Sequence, residues 1–307
     1  MARKKRKQTR ISFKRGFFGR KKKLNFDWLG PGLWKISKII VPVCFFAVLG
    51  FLLYRLDKNY IRPVTSHQTG LLVLKDVPAW ASQELKDKIV ASAGGSVFQL
   101  NENAARIVAE NLKSVAWLDN ISVQTTSDSI QVFAGYRMPV AIIKSGQTPF
   151  YVDANQVVLD YVPLPKLLLV EIKGVSLDVE IPRYGHIWKS GDLAAALEIL
   201  GKINQMDRDR IIKGGKPLVS EISSIDVSNY RGRKSSGRPH IILYSRDNTP
   251  IHWGAEVGAW QKYLESPDEQ KLAKLYTYYD QEGTLNANSK VKYIDLCNPK
   301  DTIPLPY

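Results

Sequence analysis

The stretch IIVPVCFFAVLGFLLY, Ile39 to Tyr54, runs sixteen residues without a charge. As a helix rising about 1.5 Å per residue it spans about 24 Å, short of the roughly 30 Å hydrocarbon core of a bilayer. Its flanks make up the difference. Ile36, Ser37 and Leu56 extend the span to residues 36–56, provided that Lys38 and Arg55 snorkel toward the headgroups. Trp28, Trp34, Tyr54 and Tyr60 place aromatics at both interfaces, where amphipathic rings prefer to sit. Pro42 falls near the start of the helix, where few backbone acceptors are left unpaired by it. The segment therefore reads as one transmembrane helix, its uncharged core bounded by Ile39 and Tyr54. A buried helix of a soluble protein would not need these flanks. A cleaved signal peptide would need a small-residue site, and the following YRLDKNYIRP offers none. Lys14-Arg15-Gly16-Phe17-Phe18 has one of the two arginines of a twin-arginine signal and lies too early.

Charge orients the span. Of 307 residues, 44 are Lys or Arg and 29 Asp or Glu, a net +15. Residues 1–40 hold 14 of the bases and one acid, Asp27, so +13 belongs to this stretch and +2 to everything after it. Such a block cannot bury enough apolar surface to offset its ordering entropy, and residues 1–35 are expected to be a disordered basic tail. By the positive-inside rule the tail is cytoplasmic and the bulk of the chain lies beyond the membrane. The clusters Arg3, Lys4, Lys5, Arg6, Lys7 and Lys21, Lys22, Lys23 are the expected contacts with the anionic membrane surface, each base contributing about 1 kcal/mol there. A nucleic-acid partner is disfavoured, because the remainder of the chain is almost neutral. Two cysteines, Cys44 and Cys297, support neither a disulfide framework nor a Cys-rich zinc site.

After a polar linker, residues 57–69, the pattern turns α+β. Leu71 to Val77 is a strand candidate. Ser82-Gln83-Glu84 opens a helix with Leu85, Ile89 and Ala93 on one face, stopped by Gly94-Gly95. Asn101 caps a second helix with Ala104, Ile107, Val108 and Leu112 at helical spacing. Alternation at Ile121, Val123, Thr125 and at Ile130, Val132, Ala134 gives two strands around Ser127-Asp128. The order strand, helix, helix, strand, strand over residues 70–136 makes a small unit with its own core.

Residues 137–297 are strand-rich. Strands are expected at Val140 to Ile143, Phe150 to Val152, Val157 to Tyr161, Leu167 to Lys173, Ile222 to Val227, Ile241 to Tyr244, Ile251 to Trp253 and Val291 to Leu296. Asp192 is read as the cap of one helix, bearing Leu193, Ala196, Leu197, Leu200 and Ile203. Ser266-Pro267-Asp268-Glu269 is read as a capping box opening another, with Leu272, Leu275, Tyr276 and Tyr279 inward and Gly283 at its end. Residues 298–307 form a tail in which Pro299, Pro304 and Pro306 forbid regular pairing.

Taken in order, these stretches resemble the FtsQ/DivIB cell-division family. In the first module the resemblance is carried by Gly94-Gly95-Ser96-Val97-Phe98 and Val115-Ala116-Trp117-Leu118. At the junction it is carried by Arg137-Met138-Pro139-Val140-Ala141, which is similar to an Arg-x-Pro-x-Ala signature. Tyr151-Val152-Asp153, Leu164-Pro165 with Gly174, Gly191-Asp192, Ile251-His252-Trp253-Gly254 and Tyr293-Ile294-Asp295-Leu296 follow. The resemblance implies a bitopic membrane protein with an external POTRA domain followed by a β-domain. It implies a non-enzymatic divisome scaffold in the cytoplasmic (inner) membrane, N-terminus inside, at the septum. The first module would contact upstream division proteins. The end of the β-domain would bind small bitopic coiled-coil proteins that control the septal peptidoglycan synthase. Strand addition suits that task, since an unpaired edge offers amides and carbonyls to a partner. The expected docking residues are Val291, Tyr293, Ile294, Asp295 and Leu296. One departure stands out: the family continues past this strand with Arg, an aromatic and another extended segment, whereas this chain has Cys297, Asn298 and Pro299. The extra edge strand is therefore expected to be short or missing.

Other chemistry finds little support. His67, His186, His240 and His252 never share metal-ligand spacing with a second ligand. Lys213-Gly214-Gly215-Lys216 has Pro217 where a phosphate loop needs Ser or Thr and reads as a turn. No Gly-x-Ser-x-Gly elbow occurs, and Cys297 has no helper beside it. No catalytic residue, metal, cofactor or small-molecule substrate is expected. The basic segment Tyr230 to Pro239 reads first as a solvated hairpin loop and second as a contact for anionic lipid or wall polymer. Two other function classes remain: an envelope assembly factor chaperoning extended clients through its POTRA-like module, and a wall-polymer binder or envelope enzyme using a β-domain cleft.

Overall fold

The computed structural model describes residues 44–55, 68–144, 146, 148–177, 180–286 and 292–300. The chain forms two compact units, Met1–Pro63 and Val64–Tyr307. In the first unit residues 44–55 form helix α1, every residue of which is exposed. Phe45, Phe46 and Phe51 stay more than half uncovered. Among the described residues no helix is long and apolar enough to cross a membrane. The remainder of the expected 36–56 span, Ile39 included, lies outside them, as do the basic clusters Arg3 to Lys7 and Lys21 to Lys23.

The second unit is α+β, built on two mixed sheets. Its first half runs β1 (Thr69–Leu74), α2 (Gln83–Ala93), β2 (Val97–Gln99), α3 (Glu102–Leu112), β3 (Leu118–Thr125) and β4 (Ser129–Tyr136). The strand order is β2-β1-β4-β3, with β1 parallel to β4 and the other pairs antiparallel. Both helix starts behave as their sequences require. Ser82 Oγ accepts the Leu85 amide at 3.2 Å and Asn101 Oδ1 accepts the Ala104 amide at 2.8 Å, satisfying amides that have no intrahelical partner. Gly94 closes α2 at φ +111°, a left-handed conformation natural to glycine. Two expectations need correction. β2 is a strand that the sequence reading passed over, because three residues show no alternation. Ile107 is half exposed rather than core: it sits about 60° from Ala104, on the side away from Val108 and Leu112.

The second half contributes β5 (Pro139–Ile143), β6 (Phe150–Asp153), β7 (Val158–Asp160), β8 (Val170–Lys173), α4 (Gly191–Ile212), β9 (Ile222–Asp226), β10 (Ile241–Ser245), β11 (Pro250–Gly254), α5 (Trp260–Tyr263), α6 (Asp268–Glu282) and β12 (Ile294–Asp295). The eight strands lie in the order β12-β11-β10-β9-β8-β5-β6-β7. Leu193, Leu197 and Leu200 of α4 and Leu272 and Leu275 of α6 share one buried cluster with Ile172, Ile225, Leu243 and Trp253 of the sheet.

Both expected caps in this half are overturned. Asp192 is the second residue of α4, not its cap. It is buried, and its carboxylate instead accepts the Ser176 and Leu193 amides at 2.7 and 2.9 Å and an Arg233 guanidinium at 2.7 Å. α6 begins at Asp268 with no side-chain cap from Ser266, because the Ser266 hydroxyl is occupied by Lys274 Nζ at 3.0 Å. Strand β8 also starts three residues later than expected, since Leu167 and Leu169 turn away to the first module's core.

That core is the main departure from the sequence reading. Residues 70–136 do not enclose a core of their own: the cluster around Leu85, Ile89 and Trp117 is completed by Tyr151, Val157, Leu159, Val162 and Leu164. Trp117 meets the Tyr151 ring edge-on at 5.9 Å, and Tyr151 Oη donates to Val162 O at 2.9 Å. Burial pushes the Tyr151 phenol up to about 12. Arg137, from the junction motif, straddles the seam. Its amide donates to Trp117 O at 2.9 Å and its guanidinium lies 3.5 Å from Asp119 and 3.7 Å from Asp153. Lys88 of α2 pairs with Asp160 of β7.

Removing the ring should therefore loosen both halves. Tyr151→Ala is expected to cost about 3 kcal/mol or more, and Tyr151→Phe about 1 kcal/mol, in urea unfolding of the full chain. Amide exchange in α2 should accelerate in Tyr151→Ala, although α2 lies far away in sequence. Unchanged α2 exchange would show that the seam is not shared.

Candidate partner-docking edge

β12 is the outermost strand of the eight-stranded sheet. It pairs parallel to β11 through Ile251 with Ile294 and His252 with Asp295, and the Leu296 amide donates to His252 O at 3.1 Å. The alternation of a strand sorts the expected docking residues into two sets. Ile294 and Leu296 point inward and are 0% and 1% exposed, inside the core. Tyr293 and Asp295 are half-buried on the other face. Tyr293 stacks on the His252 imidazole at 4.5 Å and 19°. Val291 lies outside the described residues. The expected strand Val291 to Leu296 is thus only two residues long within the described chain.

Its ending has a local cause. Asp295 Oδ1 accepts the Cys297 amide at 2.9 Å, which turns the chain, and the Ser266 amide donates to Cys297 O at 2.7 Å. Lys274 Nζ donates to Asn298 O as well as to Ser266. Residues 297 and 298 are thereby drawn onto the start of α6, and Pro299 follows. Among the described residues no strand lies outside β12. The opposite edge is different. There the Val158 amide donates to His186 O at 3.0 Å, and the Gly185 amide to Val158 O at 2.7 Å, so a loop covers β7.

Beside β12 lies a cleft of about 480 Å³. One wall is Arg238, Pro239 and His240; the other is Tyr263 and Leu264; the floor includes His252, Asp295 and Cys297. Leu264 is 84% exposed and held at φ +54°, a conformation that costs a branched side chain about 1 kcal/mol or more. The next residue pins it. Glu265 accepts the Ala255 amide at 2.9 Å and the fully buried Lys271 Nζ at 2.6 Å, and that ammonium lies 5.5 Å from the Trp253 ring centre. Gly254 permits this: at φ +88°, a Cβ there would meet the Glu265 oxygens at 2.4 Å. No pattern in the sequence marks Leu264; only the rigid turn makes it conspicuous.

The basic segment is the expected hairpin loop, joining antiparallel β9 and β10 with Arg231, Arg233, Lys234 and Arg238 exposed, and it also supplies this wall of the cleft. Asn229 organises it by accepting the Lys234 and Ser235 amides at 2.9 Å and donating to Ser235, Arg238 and Pro239 carbonyls. Arg233 is spent on Asp192 and on the Val227, Ser228 and Gly174 carbonyls. Arg231 pairs with Glu256 at 3.2 Å. Lys234 and Arg238 stay exposed.

Burial pushes the Cys297 thiol up, reinforced by Glu265 and Asp295, which removes the thiolate a nucleophile needs. Among the described residues no three His, Cys, Asp or Glu side chains converge as metal ligands would. No family model matches the chain, and no curated protein matches it.

Burial lowers the His252 imidazole below its ordinary 6.5, partly offset by Asp295. The unfolded chain thus takes up this proton at higher pH than the folded one. Stability from His252 is present above about 6.5 and is lost as pH falls below it, with a slope of at most about 1.4 kcal/mol per pH unit. Urea unfolding of His252→Gln should lack this component of the wild-type acid slope; identical slopes would refute it.

Proposed function

We propose that the protein is a non-enzymatic scaffold of the cell-division machinery, of the FtsQ/DivIB kind, anchored in the cytoplasmic membrane by residues 36–56 with its α+β unit outside. In this reading residues 70–136 are the POTRA-like module and residues 137–297 the β-domain. The single observation that carries it is the open β12 edge beside a rigid cleft, at the position where the resemblance expects a partner strand. Parallel pairing turns the Ile294 and Leu296 backbone toward β11, which leaves the Asp295 amide and carbonyl facing outward for a partner. Tyr293 and Leu264 flank that row as an aromatic and an apolar anchor, the side-chain types that dominate interface energetics when buried by a partner. The uncovered apolar surface of α1 supports the membrane anchor, and the ordered motifs of the two modules support the family. The partners would be small bitopic coiled-coil proteins coupled to the septal peptidoglycan synthase, with upstream division proteins on the first module.

The inward pointing of Leu296 decides which substitutions are informative. Tyr293→Asp and Leu264→Asp should each reduce crosslinked capture of septal partners from dividing cells by about tenfold, equivalent to about 1.4 kcal/mol, with unchanged urea midpoints. Leu296→Asp should lower the midpoint itself by placing a charge in the core. Full capture by the folded Tyr293 and Leu264 variants, or normal septation after depletion, would defeat the proposal.

A further inference from the structure

The first sheet ends in two edges, and only one is defended. β3 carries a register shift between Asp119 and Ser122, with Asn120 at φ +49°; a bulge of this kind twists an edge away from added strands. β2 has no bulge, proline or charged side chain in its three residues, Val97, Phe98 and Gln99. Its hydrogen-bonding phase is fixed by the Leu72 amide donating to Ser96 O at 2.9 Å and the Leu100 amide to Gln68 O at 2.7 Å. Ser96, Phe98 and Leu100 therefore turn their backbone toward β1, and Val97 and Gln99 turn theirs outward. Val97 and its cross-strand neighbour Leu71 are 58% and 59% exposed, an apolar pair on the sheet's surface. Nothing lies within 4 Å of where a Cβ on the preceding Gly95 would stand.

We infer that β2 is a second docking edge, which takes one extended strand from another protein with a β-branched or other apolar residue laid beside Val97 and Leu71. The row of outward amides and carbonyls specifies a strand and not a helix, because only an extended backbone presents its groups at the matching spacing. A second copy of this chain fits poorly: two three-residue edges bury far less than the roughly 1,000 Å² that a specific pair needs. A longer strand from a different protein can reach past the edge to further surface. The site is separate from β12, so one molecule can hold two clients at once.

The test uses the full chain and a synthetic eight-residue peptide of alternating Thr and Val, read by hydrogen–deuterium exchange. Strand addition should slow exchange at Val97 and Gln99 by about tenfold. The effect should vanish with a peptide N-methylated at alternate residues, which has the same side chains but lacks the donors. Val97→Lys should abolish it, whereas Tyr293→Asp at the β12 edge should leave it intact, so that failure here and failure of the β12 reading are told apart. No protection at Val97 and Gln99, or equal protection by the N-methylated peptide, would overturn the inference; the second result would mean an apolar patch without strand pairing.

Discussion

The buried ion pair between Lys271 and Glu265 fixes the surroundings of the β12 edge. A fully buried ammonium is costly to desolvate, and this one is compensated on several sides: by a carboxylate at 2.6 Å, by the Trp253 ring, and by Ala255, whose amide helps hold that carboxylate. Taking away one partner of such a pair costs about 3–5 kcal/mol, so the geometry is strongly enforced. It ties the first turn of α6 to the end of β11 and to the turn that carries Leu264. Through Ser266 and Lys274 the same region then captures Cys297 and Asn298. The sheet stops at β12 because the chain beyond it has better hydrogen-bonding partners elsewhere.

A second constraint joins the two halves of the second unit. Trp117, in the turn just before β3 of one sheet, and Tyr151, in β6 of the other, share one buried cluster, and Arg137 answers to a carboxylate in each sheet. Interiors packed to this degree transmit strain and do not absorb it. The residues that carried the family resemblance at the junction, Arg137 and the Tyr151-Val152-Asp153 strand, are thus seam residues. Their spacing has a packing reason that stands apart from any partner.

Much of the architecture was readable in the sequence where the cause is local. Ser82 and Asn101 cap helices because the unpaired amides lie within three residues of them. Leu85, Ile89 and Ala93 are buried because helical geometry puts them on one face. Reading failed where a side chain had a distant competitor. Asp192 and Ser266 have the composition of caps, but Arg233 lies 41 residues from the first in sequence and takes its carboxylate, while Lys274 takes the hydroxyl of the second. The basic segment is the exposed hairpin loop its composition indicates, but its internal order was not legible: Asn229 is an ordinary loop residue until its amide group is seen to bond five backbone groups.

For the candidate site the division is sharper. Sequence alone determined that an apolar segment follows a basic tail, that an α+β chain follows it, and that the chain from Tyr293 to Leu296 alternates. Those properties depend on composition and on periods of two and 3.6 residues, which neighbours in sequence impose. Only the tertiary structure decided which side of that strand is core, that Leu264 stands beside it, and that β2 and β12 are left open while β3 and β7 are not. Edges and clefts are made by residues that are absent from a position as much as by those present, and absence in space has no signature along a chain.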